Sequence, residues 1–292
     1  HLMSKMIEPR SGTYRSQRLS LHFVEWGEEG AEPVILVHGF RDHCRAWDRV
    51  ARELAGHYHL YALDLRGHGD SDWSNGGTYS LDDFLYDLHR FVESRDLRRF
   101  AVIAHSMGAA VSLNYAGLFP ERVRTLVAVE GTWQLERPAA VPQDVRKRLL
   151  GWLDQLDLLD ARSERRFASL DEAVARFRLM HQRFSPDLAW HLAEHAVRRH
   201  ADGSFGWKYD PCVRARAPGR YDNEAVMELW RRIACPVALV HGDHSHMGDT
   251  AALGLDHLFR AAQAVTIDGA GHWVHHERPA EFMAVVRQAL AG

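Results

Sequence analysis

The sequence predicts a doubly wound, mostly parallel α/β sheet with a helical block inserted before its last strands. Three observations carry this. Short continuous apolar runs, several of them stopped by glycine, recur at residues 33–39, 59–64, 100–104 and 123–129; such runs suit parallel strands covered on both faces. Amphipathic stretches lie between them, which implies right-handed crossovers. From about residue 132 to 232 the strand pattern stops, and it resumes at 236–242 and 264–268. A block inserted there is expected to lie as a lid over the carboxyl edge of the sheet, where open α/β sheets bind ligands.

The elements follow in order. Residues 18–27 alternate apolar and polar up to Gly27, the pattern of a half-buried strand. Pro33-Val-Ile-Leu-Val-His-Gly39 and His59-Leu-Tyr-Ala-Leu-Asp64 are buried-strand runs. In 80–92, Leu81, Phe84, Leu85, Leu88, Phe91 and Val92 recur at helical spacing, and Ser80 with Asp83 makes an N-terminal cap. Strands at 100–104 and 123–129 complete this half. Helices are expected at 145–159, 170–183, 186–199 and 223–232, and a last one at 279–290 closes the chain. Residues 1–131 and 233–292 would then form the core and 132–232 the lid. There is no internal repeat.

Composition narrows the class. The chain has 292 residues, 46% hydrophobic and 26% charged, with 36 basic against 39 acidic residues and a net charge of −3. That balance offers no bulk signal for nucleic acid or an anionic membrane surface. No apolar run reaches the roughly 18 residues of a membrane span, and the start lacks a signal-peptide pattern. The opening His1-Leu2-Met3 reads as a cloning remnant. Cys44, Cys212 and Cys235 are odd in number and lack Cys-x-x-Cys spacing, which fits a reducing compartment. The expected location is the cytoplasm.

The sharpest local signal is Ile103-Ala-His-Ser106-Met-Gly108-Ala-Ala110. It joins an apolar run directly to a helix. A serine on a tight strand-to-helix turn needs small residues two positions either side, and Ala104 and Gly108 supply them, a variant of the Gly-x-Ser-x-Gly elbow. The turn would expose the Ser106 hydroxyl at a helix N-terminus, where developing negative charge is favoured. The competing reading is an ordinary N-cap serine.

Four further motifs, in order, decide between these. His38-Gly39-Phe40 follows the first buried strand, and Asp64-Leu-Arg-Gly-His-Gly-Asp-Ser71 follows the next. Phe119-Pro-Glu-Arg-Val123 enters the strand after the elbow helix. Gly269-Ala-Gly-His272 precedes His276-Glu-Arg-Pro279. With these the chain resembles the α/β-hydrolase family over about 18–131 and 233–290, and within it the serine hydrolase-like and carboxylesterase/thioesterase members.

The resemblance implies an acyl-enzyme mechanism on a carboxylic ester or thioester. Ser106 would be the nucleophile and His272 its base, with His275 and His276 as nearby rivals. The backbone N–H groups of Phe40 and Met107 would form the oxyanion hole. The acid departs from the commonest pattern, because Ser245 stands three residues after Gly242, where that acid usually lies. Glu130, ending the 123–129 strand, is preferred, with Asp243 as the alternative. Epoxide hydrolase and dehalogenase chemistry is disfavoured, since those relatives carry a carboxylate where Ser106 stands.

No cofactor or metal is expected. His241, Asp243, His244, His246 and Asp249 read as a polar loop, because His244 and His246 are two apart and no helical His-x-x-x-His accompanies them. Arg162, Arg165, Arg166, Arg176, Arg178 and Arg183 read as a solvated helical face, or else as a lid that greets an anionic acyl carrier. Trp152, Trp190, Trp207 and Trp230 read as core. The expected partner is a small acyl ester or thioester bound by a monomer or homodimer. An acyltransferase, a perhydrolase, a C–C bond hydrolase or a non-hydrolytic receptor would use the same pocket.

Overall fold

The computed structural model describes residues 8–136, 144–215, 217–219, 221–247 and 253–292. Its first half runs β1 (Arg10–Ser16), β2 (Leu19–Trp26), β3 (Glu32–Val37), α1 (Asp48–Leu54), β4 (Tyr58–Leu63), α2 (Leu81–Ser94), β5 (Phe100–His105), α3 (Met107–Leu118) and β6 (Val123–Val129). The inserted block holds α4 (Trp133–Glu136), α5 (Val145–Asp160), β7 (Arg166–Phe167), α6 (Leu170–Met180), α7 (Pro186–Ala196), β8 (Val197–Arg199), β9 (Phe205–Trp207) and α8 (Asn223–Arg231). The chain closes with β10 (Val237–Gly242), β11 (Ala262–Ile267), α9 (Val274–Glu277) and α10 (Pro279–Ala291).

Eight strands form the main sheet in the order β1-β2-β4-β3-β5-β6-β10-β11. The pairs from β4 through β11 are parallel, and β1 and β2 join antiparallel at one edge. Side chains alternate faces along a strand, so each strand feeds two cores. Tyr14, Phe23, Phe91, Phe100 and Trp230 belong to one, with α2, α3 and α8; Trp26, Trp47, Phe282 and Val286 belong to the other, with α1 and α10. The Ser80–Asp83 capping box of α2 forms in both directions, each partner's backbone N–H reaching the other's side chain.

Three features depart from the sequence reading. β1 is absent from it, because Arg10-Ser-Gly-Thr-Tyr-Arg-Ser16 is a polar edge strand with only Tyr14 and Ser16 buried. Strands do not stop in the inserted block: β7, β9 and β8 form a three-stranded antiparallel sheet around Phe167, Ala173, Val197 and Trp207. Segments of two or three residues are too short to show a period of two. Finally, α8 packs on α3, and Trp230 is fully buried there with its indole N–H donating to Asn114 Oδ1 at 2.9 Å. Trp207 is buried as expected, whereas Trp190 is 40% exposed.

Several histidines are enclosed. Burial pushes His43, His68 and His276 down to about 3, and His181 and His195 to about 4. Each keeps its proton better in the unfolded chain, near 6.5. Unfolding therefore takes up protons below that value, and stability is full above pH 6.5 and falls as the pH drops through it. The cost is about 1.4 kcal/mol per pH unit for each histidine held neutral. Asp42, raised by burial to about 7, has the opposite slope but is one group against five, so thermal unfolding is expected to show a midpoint that drops between about pH 6.5 and pH 4.5. A midpoint flat across that window would contradict this burial.

Candidate active site

The register of β5, β6 and β10 sets three residues in a row at the carboxyl edge. His105 pairs with Val129, and Val129 with Val240. The next residues are Ser106, Glu130 and His241. The Ser106 N–H donates to Val129 O at 2.7 Å and the Glu130 N–H to Val240 O at 2.9 Å.

Ser106 has φ 51° and ψ −115°, and its side chain makes no capping hydrogen bond to α3. The N-cap reading therefore fails, and the hydroxyl is available. A positive φ costs about 1–3 kcal/mol at a residue with a Cβ. Close packing at the elbow enforces it: a Cβ at Gly108 would lie 2.4 Å from His38 O and 2.6 Å from Val37 O. Only glycine lets α3 begin so near β3.

His272 reaches Ser106 from the loop after β11, its Nε2 lying 3.1 Å from Oγ. The loop is fixed at several points. The His105 Nε2–H donates to His272 O at 2.9 Å, the Gly271 N–H to Glu277 Oε2 at 2.8 Å, and Arg278 Nε to Asp268 O at 3.1 Å. Arg183 also grips it, bonding Glu277 Oε2 at 2.5 Å and Gly269 O at 2.6 Å. Arg183 is thus a brace for the histidine loop, and Arg166 pairs with Glu164 at 3.0 Å; neither awaits an anion. His275 stacks on Trp47 with centroids 4.8 Å apart, and His276 packs edge-on to Phe184. Of the three histidines, His272 is the one placed on Ser106.

Glu130 supplies the nearest carboxylate. Its Oε2 is 3.5 Å from His272 Nδ1, an ion-pair separation longer than a hydrogen bond. Asp243 is exposed and lies 3.6 Å from His244 instead. Glu130 is itself at φ 56°, which turns its side chain back along the edge. Burial raises its pKa, but four partners more than offset that. His241 (3.1 Å) and His272 face it, the Gly242 N–H donates at 2.8 Å, and Ser245 Oγ donates at 2.7 Å. Together they hold the carboxyl down to about 2. Sequence reasoning missed His241 and Ser245 here. The one hint was Ser245 standing where the acid usually stands: a hydroxyl there hydrogen-bonds the carboxylate that replaces it.

Among the described residues, neither the Phe40 nor the Met107 N–H donates to a protein acceptor. The Phe40 side chain is 41% exposed. Trp273 stands 5.0 Å edge-on to His272 and meets His181 and Phe184 of the inserted block at 4.7 and 5.9 Å. Asp64 and Cys44 contact each other and His22 in a satisfied network. His246 rests 5.0 Å from the His272 ring, and Asp249 lies outside the described residues.

A serine elbow, a histidine loop after the last strand and a carboxylate at one sheet edge define an α/β-hydrolase architecture. Residues 32–279 match the family described as alpha/beta hydrolase fold, and the chain belongs to it. Among its relatives is lipase LipV of Mycobacterium tuberculosis, 26% identical over 275 residues, covering 93% of this chain and 98% of that one. A serine hydrolase-like protein of Danio rerio is 29% identical over 188 residues, 63% of this chain and 57% of that protein. A thioesterase domain from the curacin biosynthetic pathway superposes with a TM-score of 0.82 at 25% identity, over 96% of this chain and all of that one. No described helix is long and apolar enough to cross a membrane.

Proposed function

We propose that the protein is a serine hydrolase that cleaves carboxylic esters or thioesters through an acyl-enzyme. One observation carries the reading: Ser106 Oγ lies 3.1 Å from His272 Nε2 on a strained turn that leaves the hydroxyl no structural partner. An unassisted hydroxyl is a poor nucleophile, and an imidazole at that distance takes its proton during attack. The tetrahedral oxyanion then meets the N–H groups of Phe40 and Met107. His272 passes its proton to the leaving alcohol or thiol, and the acyl group stays on Ser106. Water, deprotonated by His272, releases the acid. Glu130 holds the imidazole and stabilises its cation, staying ionised through the cycle.

The relatives named lipase, serine hydrolase-like and thioesterase support this class. Residues of the inserted block meet Trp273 above the pair, which supports its reading as a lid lining the acyl site. Rapid mixing with p-nitrophenyl acetate tests the acyl-enzyme. A burst of about one p-nitrophenolate per chain before the steady rate is expected. Turnover that requires an added amine or alcohol acceptor would favour an acyltransferase instead. Binding of the ester without any turnover would favour a receptor.

His241 and Ser245 act through Glu130 as positioning residues. Ser245→Ala is expected to lower kcat by about three- to tenfold with KM unchanged, because one of the hydrogen bonds on the carboxylate is lost. It should also raise the acidic limb of the kcat–pH profile. Ser245→Thr should restore both. A kcat change without movement of that limb would mean that Ser245 is only structural.

A further inference from the structure

A second cluster lies away from Ser106, where the inserted block meets the core. Helix α7 carries His191-Leu-Ala-Glu-His195, two imidazoles one turn apart and so on one face. This is a helical His-x-x-x-His pair, the spacing that is missing beside the 241–249 loop. The helix is anchored to the core by the His43 Nε2–H, which donates to Leu192 O at 3.0 Å. Opposite stands Asp48, the first residue of α1, only 2% exposed. Its Oδ2 is 3.2 Å from His191 Nε2, and one ligating atom each of Asp48, His191 and His195 lie within 4.8 Å of one another.

His191 Nε2 and Asp48 Oδ2 meet as a histidine–carboxylate pair. Among the described residues, the buried His191 Nε2 has no other protein acceptor or donor. Two ligating atoms so spaced can share one ion. With bonds of about 2.05 Å, the edge of a tetrahedral site is about 3.3 Å. Behind His191, its Nδ1 faces Glu194 Oε1 at 3.8 Å, the side from which a carboxylate orients a metal-bound imidazole. Arg45 fixes the Asp48 carboxylate with Nε on Oδ1 and Nη2 on Oδ2, both 2.8 Å, and Arg52 adds a bond of 3.4 Å to Oδ2. Arg45 Nε also reaches Oδ2 at 3.0 Å, so of the roughly four acceptor positions of the carboxylate those on Oδ2 are taken, and a cation there replaces the long bond from Arg52. Glu8 pairs with both arginines and offsets their charge.

We propose that Asp48, His191 and His195 bind one divalent transition-metal ion, Zn2+ by donor type and number, with water completing the shell. The ion would clip α7 to α1 and so tie the inserted block to the core. The two guanidinium groups weaken the site, placing its affinity in the micromolar range rather than the nanomolar range of closed zinc sites.

The test uses the metal alone on the full chain, so it does not depend on hydrolysis. After chelator treatment, the protein is titrated with Co2+ and read by visible absorption, then challenged with Zn2+. One Co2+ per chain with the intense bands of a four- or five-coordinate site is expected, bleached by one equivalent of Zn2+. His191→Ala, on a partly exposed helix face, should weaken binding at least about 30-fold, and Zn2+ should raise the melting temperature of the wild type but not of this variant. Asp48→Asn should behave likewise, and His191→Ala stands if that variant misfolds. No cobalt binding at about 1 mM, or equal binding by the wild type and by the His191→Ala/His195→Ala double variant, would overturn the site.

Discussion

Ser106→Ala is expected to lower kcat/KM on activated esters by about four to six orders of magnitude while the protein stays folded. The size follows from what is lost. Without Oγ there is no atom to form the acyl-enzyme, and the oxyanion donors at Phe40 and Met107 can assist only a water attack. Such donors alone leave roughly 10³–10⁴-fold over the uncatalysed rate. The fold is expected to survive because the Ser106 hydroxyl caps nothing, and among the described residues its hydrogen-bond partner is His272. Alanine is as disfavoured as serine at φ 51°, so the strain is unchanged. A change in melting temperature of only a few degrees is expected, with substrate binding retained. Hydrolysis above a tenth of the wild-type rate would remove Ser106 from the chemistry.

Glu130→Gln carries the next largest effect, about 10³–10⁴-fold in kcat. The amide keeps the shape but cannot stabilise the His272 cation. Its NH2 would also confront groups that now donate to Glu130, namely the Gly242 N–H, the Ser245 hydroxyl and His241. The imidazole would be left in the wrong tautomer or the wrong place. Asp243→Asn in parallel should stay within about twofold, because an exposed charge turned toward His244 contributes little. Measuring kcat for both variants on one ester separates them. A larger loss in Asp243→Asn would reverse the assignment, and equal small losses would remove both.

The contrast between these two carboxylates shows how much of the site could be read in advance. Ser106 was legible because the elbow has local rules: Ala104 and Gly108 must be small, and a strand must precede and a helix follow. His272 was legible from Gly269 and Gly271, which let its loop approach the edge. Glu130 was readable only as a costly carboxylate at the end of an apolar run. Its partners were not, because they arise from the register of β6 against β10, which local pattern does not encode. The same limit applies to Trp230, whose burial depends on α8 returning to α3. β7, β8 and β9 are too short to announce themselves. The histidines misled by number: twenty in one chain made each look incidental, yet much of the enclosure under the inserted block is imidazole. His191 and His195 had their spacing in plain view on a helix face, but Asp48 lies far away in sequence, and only the fold brings it opposite.

The proposed hydrolysis stands on Ser106 as an activated nucleophile. The most direct measurement is intact mass after exposure to a fluorophosphonate probe, on the wild type and on Ser106→Ala. One adduct per chain is expected on the wild type, mapping to the peptide that contains Ser106, and none on the variant. An unmodified wild type, or an adduct that persists in Ser106→Ala, would contradict this role of Ser106.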